Sequence, residues 1–525
     1  MSMRLFCAAF LAAATVFALD ASAQCSVPTS RLLDAPALSG PLTPRSTLFY
    51  PEYLGQNLHV KSINAGVIYS AAPWVAGRIN GEVRASAEEY QNDVSTHFQP
   101  GPLTSQGAPT ADGCGRFNRV WIVTRADLNA YAASGTTTAD LREWPSDAGA
   151  PVTDGDGIPG NYNLAGGDRP TLWGSSTAWY VLNDVAANAF LGRKGPGLGL
   201  EVQVTIGALA NALPGSLIVR HRLVYKPTTN DPLTDAYFGI WSDGDLGRRA
   251  SDDYVGTDST LGLFYYYNAD NNDGDLGSTP IPAVGQQILQ GPRVDIDGNG
   301  SPETTLGATS SISYMNSGWP YGFPTNPQDH HNYLRGVWRN GSRITLGGNG
   351  YGGTQGVHFI YPAFPTGYWS MENVDGLGRR GVPLDQVGLI STGPFTMQPG
   401  ETQDIVSAFS VALGADRIDA VRELRIYSAN LASNYSAMSE AYPEPELTVT
   451  LGPNPTRGSL RGTVPTGQPA TVALYDLLGR ELHTLATLPR GGAFTADVSE
   501  ATPGVYFVRI KQGTATAWHR LVVVR

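Results

Sequence analysis

The chain has 525 residues, 62 of them glycine and 37 proline, with 15% charged residues and a formal net charge of −11. Abundant glycine and sparse charge suit a loop-rich β protein better than a helical one, and the acidity makes nucleic acid and anionic lipid poor partners. After the first 20 residues no stretch approaches the roughly 18 apolar residues that a membrane-spanning helix needs, so no transmembrane anchor is expected.

Met1–Ala23 carries Arg4, an apolar run from Leu5 to Leu19 and a small-x-small ending at Ala21–Ala23, the pattern of a cleaved signal peptide (residues 1–23). Gln24 precedes Cys25, where a lipoprotein needs a small residue, so lipid attachment is not expected. Export to an oxidising compartment makes a Cys25–Cys114 disulfide the expected pairing. It would close a loop of roughly 90 residues and stabilise by about 4–5 kcal/mol on the chain-entropy view; two free thiols are the alternative.

Residues 24–440 form the expected body. Short strands are predicted at Asn57–Lys61, Val67–Tyr69, Glu82–Ala85 and Val120–Val123. Thr124 and Asp127 have capping-box spacing ahead of Leu128–Tyr131, which predicts a helix. Glu201–Ile206 alternates, with Val202, Val204 and Ile206 on one face, and Leu217–Tyr225 and Ala236–Trp241 follow. Phe395–Pro399 and Asp404–Leu413 are expected to form a late pair of strands. An amphipathic helix is predicted over Ala415–Leu431, with Val421, Leu424, Tyr427 and Leu431 on one stripe. Tyr442–Pro445 makes residues 441–446 a stiff linker.

From Leu447 onward, β-rich runs (Leu447–Leu451, Thr471–Tyr475, Val505–Ile510, Leu521–Val524) alternate with Pro/Gly/Asn turns, the pattern of a small Ig-like sandwich over 447–525. In Val505–Ile510, Tyr506, Val508 and Ile510 fall on one face, and Gly479 is expected to turn a hairpin at Leu477–Arg480. The expected fold class is therefore mainly β: a large antiparallel β-sandwich with long acidic loops and few helices, followed by the small sandwich.

The tail also resembles the type A C-terminal sorting domain of the bacterial type IX secretion system, through Pro453–Asn454–Pro455, Tyr475–Asp476 with Gly479–Arg480, and Pro503–Gly504–Val505–Tyr506. The resemblance implies export from a Gram-negative bacterium of the Bacteroidetes type to the outer surface or the medium. It implies the secretion machinery and its sorting protease as partners, with attachment to surface lipopolysaccharide or release as the outcome. In the body, Phe98–Leu103, Phe117–Leu128, Ala178–Asp184, Leu198–Val204, Trp241–Gly247 and Asp252–Gly256 resemble large, functionally uncharacterised secreted proteins that carry the same tag. That likeness brings no activity with it.

Acidic charge gathers in Asp/Asn/Gly loops. Asp295, Asp297 and Asn299 stand at positions 1, 3 and 5 of a calcium-type loop with Gly300 at position 6. Position 12 is Leu306, and Glu303 at position 9 is the substitute ligand. Weaker clusters are Asp154 with Asp156, Asn268–Asp275 (Asp270, Asn272 and Asp275 as ligands), and Asp243 with Asp245 near Asp252, Asp253 and Asp258. Calcium is the expected cofactor; the alternative is that these residues simply populate surface turns.

Enzyme signatures are weak. Gly348–Gly353 fits a dinucleotide-loop spacing without a βαβ context, and Gly174–Ala178 narrowly misses a serine-hydrolase elbow. His330 and His331 are expected in a loop. A glycoside hydrolase needs two carboxylates roughly 5–9.5 Å apart, for which Glu201, Glu372 and the loop aspartates are available. Trp173, Trp179, Trp241, Trp319, Tyr321, Trp338 and Trp369 are available to stack on sugars, although tryptophans in a β protein more often fill the core. The expectation is a secreted or cell-surface protein with a non-enzymatic, calcium-stiffened body and no catalytic residues, with a polysaccharide-active enzyme (a glycoside hydrolase) or carbohydrate-binding protein as the alternative.

Overall fold

The computed structural model describes residues 30–524 except 52–56, 91–97, 159, 186–195, 210–214, 248–249, 273–279, 297–303, 316–319, 364, 366, 441–448, 467–468, 477–480 and 513–514. The signal segment, Cys25, the linker, Asp275, Asp297, Asn299, Glu303, Trp319 and Gly479 lie outside the described residues.

Two antiparallel sheets make up the body. The larger has nine strands. From edge to edge it runs Asp253–Asp258, Leu263–Asn268, Ile281–Gln290, Thr402–Gly414, Ser216–Tyr225, Leu200–Ala208, Ser176–Asn183 and Gln99–Pro100, with Trp121–Thr124 also paired to Ser176–Asn183. The smaller runs Ser310–Tyr314, Val387–Met397, Leu233–Asp243, Ser70–Ile79 and Glu82–Ser86. A four-stranded sheet (Arg31–Asp34, Leu38–Leu42, Leu58–Val60, Ala65–Ile68) precedes them. One continuous apolar core joins these sheets, with Val202, Val204, Ile206, Leu223, Phe238, Ile240, Phe264, Leu389 and Phe409 among its wholly buried members.

The larger sheet is covered on its outer face too. Trp121, Trp179, Val181, Leu141 and Trp144 form one cluster there, and Trp173, Ile218, Val406, Ala408 and Leu431 form another. That is why all nine residues of Leu200–Ala208 are buried, polar ones included, where alternation alone predicts a solvated face. The helix runs Arg417–Glu440, longer than expected, with Val421, Leu424 and Leu431 wholly buried and Tyr427 partly so. Each such aliphatic side chain stabilises by roughly 1.5–3 kcal/mol.

The capping box is present. Asp127 N–H donates to Thr124 Oγ1 at 3.1 Å and Thr124 N–H donates to Asp127 Oδ2 at 2.8 Å, starting the helix Arg125–Ser134. The late pair is not a pair. Val387–Met397 lies in the smaller sheet against Leu233–Asp243 and Ser310–Tyr314, whereas Thr402–Gly414 lies in the larger between Ser216–Tyr225 and Ile281–Gln290. The turn between them carries the chain from one sheet to the other. It is fastened to the larger one by Gly400 N–H to Tyr225 O (2.7 Å) and Tyr225 N–H to Glu401 O (2.9 Å).

The tail has a core of its own, built from Leu460, Val472, Leu474, Tyr506, Val508, Ile510 and Leu521 with neighbours. It comprises a three-stranded sheet (Thr450–Gly452, Ser459–Val464, Gly492–Asp497) and a four-stranded sheet (Glu481–Leu488, Ala470–Tyr475, Gly504–Gln512, Ala515–Val523). Tyr506, Val508 and Ile510 face inward as their alternation predicts.

Candidate functional site

Among the described residues two carboxylate triads are assembled, and each contains one residue that sequence reasoning did not single out. In the first, Asp154 and Asp168 flank a two-stranded ladder (Thr153 opposite Arg169), and Asp156 completes the group. One oxygen from each lies within 4.8 Å of the others. Their lone pairs are largely occupied by neutral donors. Asp168 accepts Gly155 N–H (2.9 Å) and Asn163 N–H (2.6 Å), which hold its carboxyl below the ordinary range. Asp154 Oδ1 accepts Gly157 N–H (2.6 Å), and Asp156 Oδ2 accepts the side-chain amides of Asn161 and Asn163 at 3.1 Å each.

The second triad lies at one end of the smaller sheet. Asp243 is the last residue of Leu233–Asp243, Asp245 follows two residues later, and Asp385 precedes Val387, the residue opposite Asp243 in the ladder. Again one oxygen from each lies within 4.8 Å of the others. Tyr90 Oη donates to Asp243 Oδ2 at 2.7 Å. Burial, and then the Asp245 charge, push Asp243 up to about 7. Burial and then Asp385 push Asp245 up to about 6. Asp385 is raised by burial.

The other acidic candidates are not brought into such groups among the described residues. Asp270 and Asn272 stand in consecutive Asx turns (Asp270 N–H to Asn268 Oδ1, 2.9 Å; Asn272 N–H to Asp270 Oδ1, 2.7 Å). Asp258 is neutralised by Arg425 at 2.8 Å. Asp253 accepts Leu246 N–H at 3.1 Å. Asp295 is described, but its three loop partners are not.

Of the carboxylates available for glycoside chemistry, Glu201 and Glu372 are engaged in ion pairs. Glu201 is buried and bonded to Lys226 Nζ (2.6 Å), Leu103 N–H (2.8 Å) and Gln203 Nε2 (2.8 Å). Glu372 is held by Arg417 and, at 2.8 Å, by Arg380. Trp173, Trp179, Trp241, Trp338 and Trp369 are core residues, none more than 2% exposed, so they offer no stacking surface. An open cavity of about 440 Å³ is lined by Arg116, Arg119, Trp121, Arg142, Trp144 and Tyr162, with Glu143 and Asp147 among its remaining walls. Arg116 pairs with Asp147 and Arg119 with Glu143.

His330 and His331 are helical, which corrects the loop expectation. Asn326 caps the helix Pro327–Leu334 by accepting Asp329 N–H at 3.0 Å, and proline occupies its first turn. Asn-Pro-x-Asp is a readable start signal. Both rings are buried: His330 packs on Trp74 with centroids 4.8 Å apart, and His331 Nε2 lies 3.0 Å from Asp235 O. Gly348–Gly353 sits in the turn region between Ile344–Thr345 and Gly356–Val357, with no helix following. Ser176 begins a buried strand rather than an elbow.

In the tail, the Asn454 side chain clamps the final strand. Its Nδ2 donates to Arg520 O (2.8 Å), and its Oδ1 accepts Val522 N–H (2.9 Å). Thr456 N–H to Val522 O (2.8 Å) and Val524 N–H to Thr456 O (2.9 Å) continue the contact. The flanking Gly452–Pro453 and Asn454–Pro455 peptide bonds are cis. Pro503 and Gly504 lead into Gly504–Gln512, where Tyr506 Oη donates to Thr502 O at 2.7 Å. This stretch, with its own core and its clamp on the last strand, matches the family described as the secretion system C-terminal sorting domain over residues 451–524. Residues 451–524 are a Por secretion system sorting domain.

The sorting domain implies interaction with the type IX secretion machinery and export to the outer surface or the extracellular space of a Bacteroidetes bacterium. The sorting-domain match does not extend to the body. No curated protein matches the chain. Among solved structures, a polysaccharide lyase aligns with 62% of this chain at 8% identity and a TM-score of 0.19; the chain spans 34% of the length of that structure. Among the described residues, no helix is long and apolar enough to cross a membrane. Cys114 is disulfide-bonded.

Proposed function

We propose that this chain is a non-enzymatic secreted or cell-surface protein whose β-sandwich body is displayed or released by the type IX route and whose acidic loops are stiffened by calcium. The observation that carries the export half is the sorting-domain match at 451–524 on a segment with its own core. In this reading residues 1–23 are removed at the inner membrane, 24–440 are the working body, 441–446 link it to the tag, and Cys25 pairs with Cys114. The sorting protease then cleaves before the tag, and the body is either freed or joined to surface lipopolysaccharide. Intact mass of the protein from cells and from medium tests this. Two cleavages with a glycolipid-sized increment on the cell fraction indicate anchoring, two cleavages with no increment indicate release, and an uncleaved tail overturns the scheme.

The calcium half is supported by the two triads. Crowded carboxylates repel one another, and an all-oxygen ligand set suits a hard cation, which extracellular modules bind at about 0.1–1 mM. A melting temperature unchanged between excess calcium and excess chelator would refute it.

A carbohydrate-binding body is the second reading. The open cavity with Arg116, Arg119, Arg142, Glu143 and Asp147 on its walls offers polar groups to a sugar and favours it, while the ion-paired states of Glu201 and Glu372 weigh against catalysis by them. A glycan array on the tag-free body separates the two readings.

A further inference from the structure

Asp243 is 7% exposed, and its Oδ1 is buried without a hydrogen-bond partner, while Oδ2 takes the Tyr90 hydroxyl. Neither Asp245 nor Asp385 is paired with a Lys, Arg or His among the described residues. Three other carboxylates differ from Asp243 in this respect. Buried Glu201 has a lysine, Glu372 has two arginines, and Asp168 has backbone N–H groups. A buried carboxylate oxygen lacking any donor is costly, and two further carboxylates beside it raise that cost.

The register explains how three acids separated by 142 positions meet, from Asp243 to Asp385. Asp243 faces Val387 across an antiparallel ladder. Moving two residues outward on each strand reaches Asp245 and Asp385, and a two-residue step keeps both side chains on the face of Asp243. The oxygens lie within 4.8 Å of one another, close to twice a calcium–oxygen bond of about 2.4 Å. The donors are all carboxylate oxygens, with no nitrogen or sulfur to favour zinc or copper.

We propose that Asp243, Asp245 and Asp385 form a divalent-cation site, with calcium the ion that fits, and that the ion ties the end of Leu233–Asp243 to the segment entering Val387–Met397. This rests on the calcium reading given above and deepens it by assigning one site and one structural task.

The test uses the intact chain, stripped with chelator and titrated with calcium chloride at neutral pH, followed by thermal unfolding and calorimetry. Wild type is expected to melt at higher temperature with calcium. Asp243→Asn and Asp385→Asn are each expected to weaken binding at this site at least tenfold. Without calcium, Asp243→Asn should melt at or above wild type, since an amide oxygen still accepts from Tyr90 and one charge is gone. Asp385 is exposed, so its variant reports even if Asp243→Asn folds poorly. A calcium response identical in wild type and both variants overturns the site. If that response instead disappears in Asp154→Asn, the calcium reading stands and this site falls. No calcium response in wild type removes both.

Discussion

The Phe264 ring fills the space where a side chain at position 388 would stand: a Cβ on Gly388 would come within 2.0 Å of Phe264 Cε1. Phe264 belongs to the larger sheet and Gly388 to the smaller, so this contact is one place where the two layers interlock. Gly388→Ala is therefore expected to destabilise the body by about 1–3 kcal/mol, because overpacking a dense core forces backbone or rotamer shifts. Chemical unfolding of the body alongside the double variant Gly388→Ala/Phe264→Leu checks it, and the second substitution should recover part of the loss.

Asn454→Ala removes both amide bonds to the final strand. The expected cost to the sorting domain is about 1–3 kcal/mol. Asn454→Asp keeps the acceptor for Val522 and loses the donor to Arg520, so it should fall between wild type and alanine. Unfolding of the tail measured by hydrogen exchange at Val522 reads this directly, and the amount of exported protein should follow the same order.

Glu372→Gln leaves the Arg417 guanidinium, 8% exposed as a residue, without its carboxylate partner. Breaking one side of a buried pair costs about 3–5 kcal/mol. Replacing both partners with apolar residues of similar volume should cost much less, and the double-variant cycle measured by denaturant unfolding decides between these outcomes.

His221 is wholly buried beside Phe238, and both ring nitrogens lack partners. Burial drives its pKa from 6.5 down to about 3. The unfolded chain takes up a proton below about 6.5 while the folded chain does not, so folding stability is lost as pH falls through that window. It is lost at a slope approaching about 1.4 kcal/mol per pH unit. Stability measured at pH 7 and pH 4 should show a drop that His221→Leu reduces by about 3 kcal/mol.

What was legible in the sequence was local. The Thr124–Asp127 box starts its helix because cap and acid are three residues apart, and the stripe on Arg417–Glu440 is buried because its spacing follows the helical period. Asn326 and Pro327 carry an equally local signal for the helix that holds His330 and His331. Nothing local marks Asp385, whose partnership with Asp243 exists only through a cross-strand register. The strands ending at Met397 and beginning at Thr402 are separated by a hairpin-length turn, which favours pairing. They separate because each completes a different sheet, and this is decided by partners such as Ile240 and Val219 far back in the chain. Weak alternation also hid Ser459–Val464, Glu481–Leu488 and Gly492–Asp497 in the tail.

The middle of the larger sheet is supplied by one of the body's latest segments, Thr402–Gly414. As the chain is synthesised, Ser216–Tyr225 and Ile281–Gln290, the strands on either side of it, are made long before it. Contacts this distant in sequence form slowly because loop closure must come first. The two halves of the larger sheet therefore cannot join until Thr402–Gly414 has been made, so the body's core is expected to close only near the end of its synthesis.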